Sequence, residues 1–354
     1  MKPPRTKAAT IADVAAKAGV SAATVSYVLN AAQSRIPISE KTRQRVLRAV
    51  RECGYHPNAA ARALSRHRTG HLGFILSDAL HHGWSNLYFS AALGGVEKAC
   101  RERDYGLSIS LYNLSNIETF VFPARVGQRA VDGVVLTGYV QAAVVRRFQE
   151  FGVPCVCIGD NVEVAELIPT IGPDVIGGLM KAVAHLAGQG HRRIYCHFEP
   201  SRRGREVAEL LQARVAEGPL TRDCAIQVID FRFPADHRAG RPLIDHWLSL
   251  LPAERPTAVI SNEQVLPAFQ REMRREGLSC PGDLSMLSNC DTLLCEFADP
   301  PLTALRQDFD EAGRIAVGML IDHIEAGKPL GPELSRTDCS YELVLRASCG
   351  TAPE

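Results

Sequence analysis

The hydrophobic rhythm of the chain changes near residue 70. Before that point apolar residues recur at three- and four-residue intervals: Ile11, Val14, Ala15 and Ala18, then Val25, Val28 and Leu29, then Val46, Leu47 and Val50. Such spacing places each set on one helical face, predicting helices over 10–18, 21–30 and 39 to about 53. The junctions carry matching signals. Gly19 suits the left-handed end of the first helix. Ser21 offers a hydroxyl to the free N–H groups of the second. Ser39-Glu40 opens the third, and Gly54-Tyr55 closes it. Two short helices around a tight Gly-containing turn are the helix-turn-helix unit, whose second helix enters the DNA major groove. A unit this small buries little apolar area, so each core residue matters to it. Pro57 then opens the run Asn58 to Ser65. Its alanines favour helix, but a run this short is marginal alone in water. It is expected to become helical only against a partner or DNA.

From about His71 the pattern becomes strands alternating with helices. Candidate strands are 72–76, 107–111, 133–136, 155–158, 194–198, 226–229, 258–261, 285–287 and 303–306, with helices between them such as 90–103 and 178–188. Alternation of this kind reads as parallel sheets covered by helices on both faces. The length suits two such lobes. Ligands of open parallel sheets sit beyond the C-terminal strand ends.

Charge divides the chain at the same place. The whole is nearly neutral, at net charge +1, but residues 1–70 hold thirteen Lys and Arg against three Asp and Glu, a net of +10 that the remainder offsets with −9. A basic head on an acidic body favours phosphate contact at one end only. The 11 cysteines are odd in number and form no CxxC pair, which fits a reducing cytoplasm better than a disulfide scaffold. A thiol sensor at Cys290 and Cys295 is the alternative reading. The chain has no HExxH, GxSxG, P-loop or GxGxxG string. His81-His82 lacks metal-ligand spacing. No apolar run reaches the ~20 residues of a membrane span, and no signal-peptide core opens the chain. No cofactor, metal or membrane partner is therefore expected, and neither is an enzyme. The expected setting is the cytoplasm, at the nucleoid.

The strings Thr10-Ile11-Ala12-Asp13-Val14-Ala15, Gly19-Val20-Ser21, Thr24-Val25-Ser26, Leu29-Asn30, Thr42-Arg43, Gly54-Tyr55 and Pro57-Asn58 resemble the lactose repressor family of bacterial regulators. Further strings continue the resemblance through the body: Asp132-Gly133-Val134-Val135-Leu136, Gly152-Val153-Pro154, Gly188-Gln189-Gly190-His191-Arg192-Arg193-Ile194, Pro256-Thr257-Ala258-Val259 and Asp299-Pro300-Pro301-Leu302-Thr303. The head strings are highly specific, and the body strings are weak singly and strong together. The resemblance implies an N-terminal all-α helix-turn-helix DNA-binding domain with a hinge helix, followed by an α/β two-lobed periplasmic-binding-protein-like effector domain of two doubly wound parallel sheets. The corresponding boundaries are 1–56 for the head, 57–69 for the hinge and 70–354 for the body. Lobe 1 then takes about 70–167 and 296–327, and lobe 2 about 168–295 and 328–354, with crossings near Leu167, Cys295 and Gly327.

The resemblance also assigns residues. Ala22, Ala23 and Tyr27 fall on positions that face base edges. The alanines can touch a thymine methyl, and Tyr27 can give one hydrogen bond, unless it packs on its own domain. Thr10, Ser21, Thr24, Ser26 and Asn30 match positions that hold the sugar-phosphate backbone, and Asn58 lies in the hinge string. Leu64 matches the hinge leucine that wedges into the minor groove and bends the duplex, ordinary helix packing being the alternative. Arg62, Arg66 and Arg68 would hold phosphates beside the kink. Pyrimidine–purine steps kink most easily, so a pseudo-palindromic operator with a CG or similar central step is expected. The stretch 31–37 is slightly longer than usual for its loop.

In the cleft, Ser77, Asp78, Asn86, Tyr88, Phe89, Asp160, Asp174 and Asn262 fall near strand ends or on family strings. Leu87 departs from the family's proline, and Glu263 from its aspartate. Val207 and Cys290 occupy the positions where the family uses an arginine and an aspartate for hydroxyls, with Arg205 and Asp291 close by as substitutes. A site built from Cys290, Asn289, Tyr88 and Phe89 suits a less hydroxylated ligand, or none. Each cleft residue has a plain structural alternative as helix cap, turn former or core aromatic. Three functions remain: a DNA-binding repressor governed by a small-molecule effector, the same DNA binder governed by a protein partner or its own level, and a solute-binding or enzymatic protein. The basic head argues against the third. Without a leucine heptad tail after Leu345, a homodimer is expected rather than a tail-linked tetramer.

Overall fold

The computed structural model describes residues 9–29, 38–55, 68–78, 83, 86–198, 202–229, 236–339 and 341–353. The chain forms two compact units, Met1–Thr69 and Gly70–Glu354.

In the first unit, α1 (Ile11–Ala18), α2 (Ala22–Leu29) and α3 (Glu40–Cys53) form where the apolar spacing places them. Thr10 and Asp13 cap α1 reciprocally, each side chain accepting from the other's backbone N–H. Ser39 caps α3 by accepting from the Thr42 N–H. Gly19 (φ 59°) and Gly54 (φ 58°) end α1 and α3 in the left-handed conformation, which a side chain would oppose. The core is Val14, Ala15, Ala18, Val25, Val28, Val46 and Ala49. Ile11, Leu29, Leu47 and Val50, also expected inside, pack at its rim. The expected segment 57–65 falls outside the described residues.

The second unit holds two sheets. Its strands in chain order are β1 (His71–Ser77), β2 (Gly106–Tyr112), β3 (Gly133–Thr137), β4 (Cys155–Ile158), β5 (Thr170–Pro173), β6 (Arg193–Cys196), β7 (Ala225–Val228), β8 (Ala258–Ser261), β9 (Ser285–Ser288), β10 (Thr303–Gln307), β11 (Arg336–Cys339) and β12 (Tyr341–Val344). The first sheet runs β11-β5-β4-β3-β1-β2 and the second β12-β10-β9-β8-β6-β7. Every pair is parallel except β10 with β12. The central strands are buried on both faces, as parallel strands under helices must be.

The lobe crossings differ from those expected. β5 belongs to the first sheet, whereas the helix Val175–Gly188 packs in the second lobe's core, so the first crossing lies at Asp174 rather than near Leu167. β10 belongs to the second sheet, and the helix Phe309–Ala326 packs in the first lobe's core, so the second lies at Asp308 rather than near Cys295. β11 returns to the first sheet, and the third lies between Cys339 and Tyr341 rather than near Gly327. The reason is local. Thr170-Ile171-Gly172-Pro173 carries a glycine and a proline, and Arg336-Thr337-Asp338-Cys339 is largely polar, so neither reads as a strand. Inside the first lobe, the helix Leu87–Glu102 meets Phe309–Ala326 through two glycines: a Cβ on Gly313 would overlap the backbone of Gly95.

Candidate functional site

On the head, Ala22, Ala23 and Tyr27 lie on the exposed side of α2, while Val25 and Val28 face the core. Tyr27 is 41% exposed, so its ring is not consumed by packing on its own domain. The Ser21 hydroxyl accepts from the Thr24 N–H at 3.1 Å and shares a hydrogen bond with the Thr24 hydroxyl at 2.9 Å. Thr10 is held in its capping box, its N–H donating to the Asp13 carboxylate at 2.8 Å. Both caps hold hydroxyls at helix N-termini, where phosphate oxygens bind well. Ser26 is half-buried. Arg43, Arg45, Arg48 and Arg51 stand exposed along α3. Asn30, Asn58, Arg62, Leu64 and Arg66 fall outside the described residues.

In the body, a cavity of about 270 Å³ opens between the lobes. Tyr139 and Asp160 enter it from the first lobe, beyond β3 and β4. His197, Phe198, Asn262 and Asn289 enter from the second, beyond β6, β8 and β9. Arg203, Val207, Val175, Leu179, Leu305 and Tyr341 also line it. Across it, Arg203 Nε donates to Asp160 Oδ2 at 2.9 Å, an ion pair that spans the lobes. His197 Nδ1 lies 3.2 Å from the Ser261 hydroxyl. Apolar walls with a few convergent polar groups are the usual make-up of a small-molecule pocket.

Of the expected cleft residues, Asp160, Asn262 and Asn289 line this cavity. The others are placed differently, for visible reasons. Asn86 caps the helix Leu87–Glu102, its carbonyl accepting from the Tyr88 and Phe89 N–H groups. Asp174 likewise caps Val175–Gly188, accepting from the Gly177 N–H at 2.9 Å. Tyr88 packs edge-on between Phe89 and Phe309, at 5.0 and 4.9 Å. Burial, with Cys290 and Asp160 nearby, keeps its phenol protonated, while a hydrogen bond with Gln307 opposes the shift. Ser77 is fully buried, and Asp78 is exposed at the strand end. Arg205 is exposed on its helix, and Arg203, two residues earlier, takes the place at the wall. Asp291 does not substitute at the wall, because Arg306 and Arg346 hold its carboxylate at 2.8 Å each. Burial pushes the Cys290 thiol well above its ordinary pKa and raises that of Cys295, which leaves the thiol-sensor reading without a thiolate.

Sequence reasoning missed Arg203, His197, Phe198, Tyr139 and Tyr341. Only Arg203 had a usable signal, as a cation at the start of the helix Arg202–Glu217. Among the described residues no group of His, Cys, Asp and Glu is placed to hold a metal, and no helix is long and apolar enough to cross a membrane.

Residues 10–58 match the profile of the bacterial regulatory proteins of the lacI family, and residues 183–349 that of the periplasmic binding protein-like domain. The HTH-type transcriptional repressor CytR of Escherichia coli (strain K12) is 30% identical over 356 residues, which cover 98% of each chain. The chain belongs to the lacI family. It is a DNA-binding transcriptional regulator with a helix-turn-helix head and a periplasmic-binding-protein-like body. Among solved structures, the CelR–cellobiose complex is 26% identical to this lacI-family chain, with a TM-score of 0.64 over 96% of this chain and 99% of that one. The lac repressor dimer bound to operator and the anti-inducer ONPF shares the fold at a TM-score of 0.76 and 24% identity, covering 97% and 99%.

Proposed function

We propose that this lacI-family protein represses transcription in the cytoplasm by binding a pseudo-palindromic operator as a homodimer, and that a small molecule in the interlobe cleft sets its affinity for that operator. It acts by binding and release, with no chemistry of its own. The observation that carries the reading is the cavity walled by both lobes, with Asp160 from one meeting Arg203 from the other. A ligand lodged there touches both lobes at once, so its affinity differs between their arrangements, which is the condition for a ligand to shift an equilibrium. The cellobiose of the CelR complex makes a carbohydrate the first class to try. The mostly apolar wall, with Val207 in it, points to a ligand with few hydroxyls to satisfy.

On the DNA side, Ala22, Ala23 and Tyr27 read base edges. Thr10, Ser21, Thr24, Ser26 and Asn30 hold the backbone, and Asn58, Arg62 and Leu64 act at the hinge. Selection of sites from random duplex DNA with the full-length protein should return a pseudo-palindrome with a kinkable central step. Leu64→Ala should then lose specific affinity and DNA bending while weak non-specific binding stays. A thermal-shift screen of sugars and fractionated cell extract tests the cleft, since a ligand stabilises the folded state by mass action. If no fraction shifts the body's melting, the effector half of the proposal fails.

A further inference from the structure

The places where the chain passes between the sheets are tied to one another by strand pairing. Pro173, at the end of β5, pairs with Cys339, at the end of β11. Gln307, at the end of β10, pairs with Tyr341, at the start of β12. Cys339 and Tyr341 are two positions apart in the chain, so these pairings gather all three crossings into one bundle. Tyr341 stands in that bundle, and it also forms part of the cavity wall.

Its ring is held against the second lobe. On the second-lobe side it lies against Gly178 in the helix Val175–Gly188, and a Cβ at that glycine would overlap the ring. The same helix holds the Tyr341 carbonyl, which accepts from Lys181 Nζ at 2.9 Å. Tyr88 and Asp160, both in the first lobe, lie within electrostatic reach of its phenol. Tyr88 in turn packs edge-on against Phe309 at 4.9 Å, beside the second crossing at Asp308. One side chain of the second lobe therefore lines the cavity, lies against the helix Val175–Gly188 and stands on a crossing strand.

We propose that Tyr341 is the positioning residue that couples occupancy of the cleft to the relative setting of the two lobes. The proposal rests on the reading of the cleft as an effector site. A ligand that fills the cavity presses on the ring. The ring has no room to retreat toward the helix at Gly178. Tight packing passes displacement on to neighbours instead of absorbing it, and the neighbours here include the crossing strands.

The test is a double-mutant cycle on operator affinity, run without any ligand on the full-length protein and a duplex recovered by selection. Gly178→Ala drives the ring off its helix and should change operator affinity at least fivefold, with non-specific DNA affinity unchanged. In a Tyr341→Leu background, which keeps an apolar side chain but removes the ring, the same Gly178→Ala should change it less than twofold. An effect that persists in the leucine background, or none in the parent, overturns the proposal. Should Gly178→Ala not fold, Tyr341→Phe and Tyr341→Leu decide it: phenylalanine should keep the parental affinity and leucine change it at least fivefold at an unchanged melting temperature. Equal affinities for all three overturn it. Because the cycle needs no ligand, its failure is separate from a blank thermal-shift screen, which counts against the effector reading alone.

Discussion

The head and the cleft present their polar residues in opposite ways. On the head, the surface proposed to meet DNA comes from neighbours in sequence, Ser21 to Tyr27, displayed by one short helix whose apolar side is locked to two others. In the cleft, the facing pair Asp160 and Arg203 comes from different lobes, and the wall gathers residues from Tyr139 to Tyr341. The head is therefore a fixed shape that a partner must match. The cleft is a shape that exists only while two lobes hold a given relation, which suits it to sensing. Substitutions in the two regions should accordingly fail in different ways.

The largest effect should come from the head's core. Val25 is fully buried among a handful of small side chains. A carboxylate there has no partner, and buried unpaired charge costs roughly 3–5 kcal/mol, much of what a unit this small holds. Val25→Asp should unfold the head and lower specific operator affinity by more than about 100-fold, since several kcal/mol is at least two powers of ten. The body has its own cores and should melt where it did before. Calorimetry of the full-length protein checks this, and a body transition that moves with the head would break the comparison.

Next in size is Gly313→Ala in the first lobe. The new methyl meets the backbone of Gly95, which cannot turn aside as a side chain would. Overpacking of this kind costs about 1–3 kcal/mol, so the body's melting temperature should fall while the head's circular dichroism and non-specific DNA binding stay. An unchanged melting temperature would mean that the two helices separate freely.

A smaller effect should come from Thr10→Ala. Losing an N-cap costs about 1 kcal/mol, and here the partner Asp13 loses its hydroxyl donor as well. If Thr10 also holds a phosphate, the slope of operator affinity against salt should stay nearly constant, because a neutral hydroxyl releases no counterion. Specific affinity should nonetheless drop, by more than the loss of head stability explains. Affinity that drops only with head stability would make Thr10 a cap alone.

The same contrast explains what the sequence discloses. Helix spacing, Gly19, Gly54, Ser21 and Ser39 are local signals, and the head folds where they say. Nine of the strands announce themselves by apolar runs, whereas β5, β11 and β12 do not. The two short strands β5 and β11 pair at the edge of the first sheet, and missing them displaced the expected lobe crossings. In the cleft, a polar residue after a strand is as often the cap of the following helix. Asn86 and Asp174 are such caps, and Asn262 both lines the cavity and accepts from the Gln264 and Val265 N–H groups. Arg203 and Tyr341 gain their meaning from partners distant in the chain, Asp160 for the first and Gly178 for the second, which no local pattern records.

The smallest effect should come from Glu263, beside Asn262 at the end of β8. Glu263 is 3% exposed, and burial raises its carboxyl pKa above the ordinary 4.5, against the opposing pull of its own N–H and of Gln264. A carboxylate whose folded pKa is raised binds its proton more tightly folded than unfolded. Its charged form therefore costs stability at any pH above the folded value, and that cost fades as pH falls through it. Glu263→Gln keeps the shape and an acceptor oxygen but carries no charge. At pH 8 it should raise the body's melting temperature by about 2–4 °C, the equivalent of ~1 kcal/mol in a unit of this size. The advantage should shrink as the pH is lowered toward 4.5 and below, and operator affinity should not change, since the head is untouched. A variant that melts lower than the parent at pH 8 would mean that the charge itself is held by partners in the second lobe, and Glu263 would then belong with the polar groups that organise the cleft.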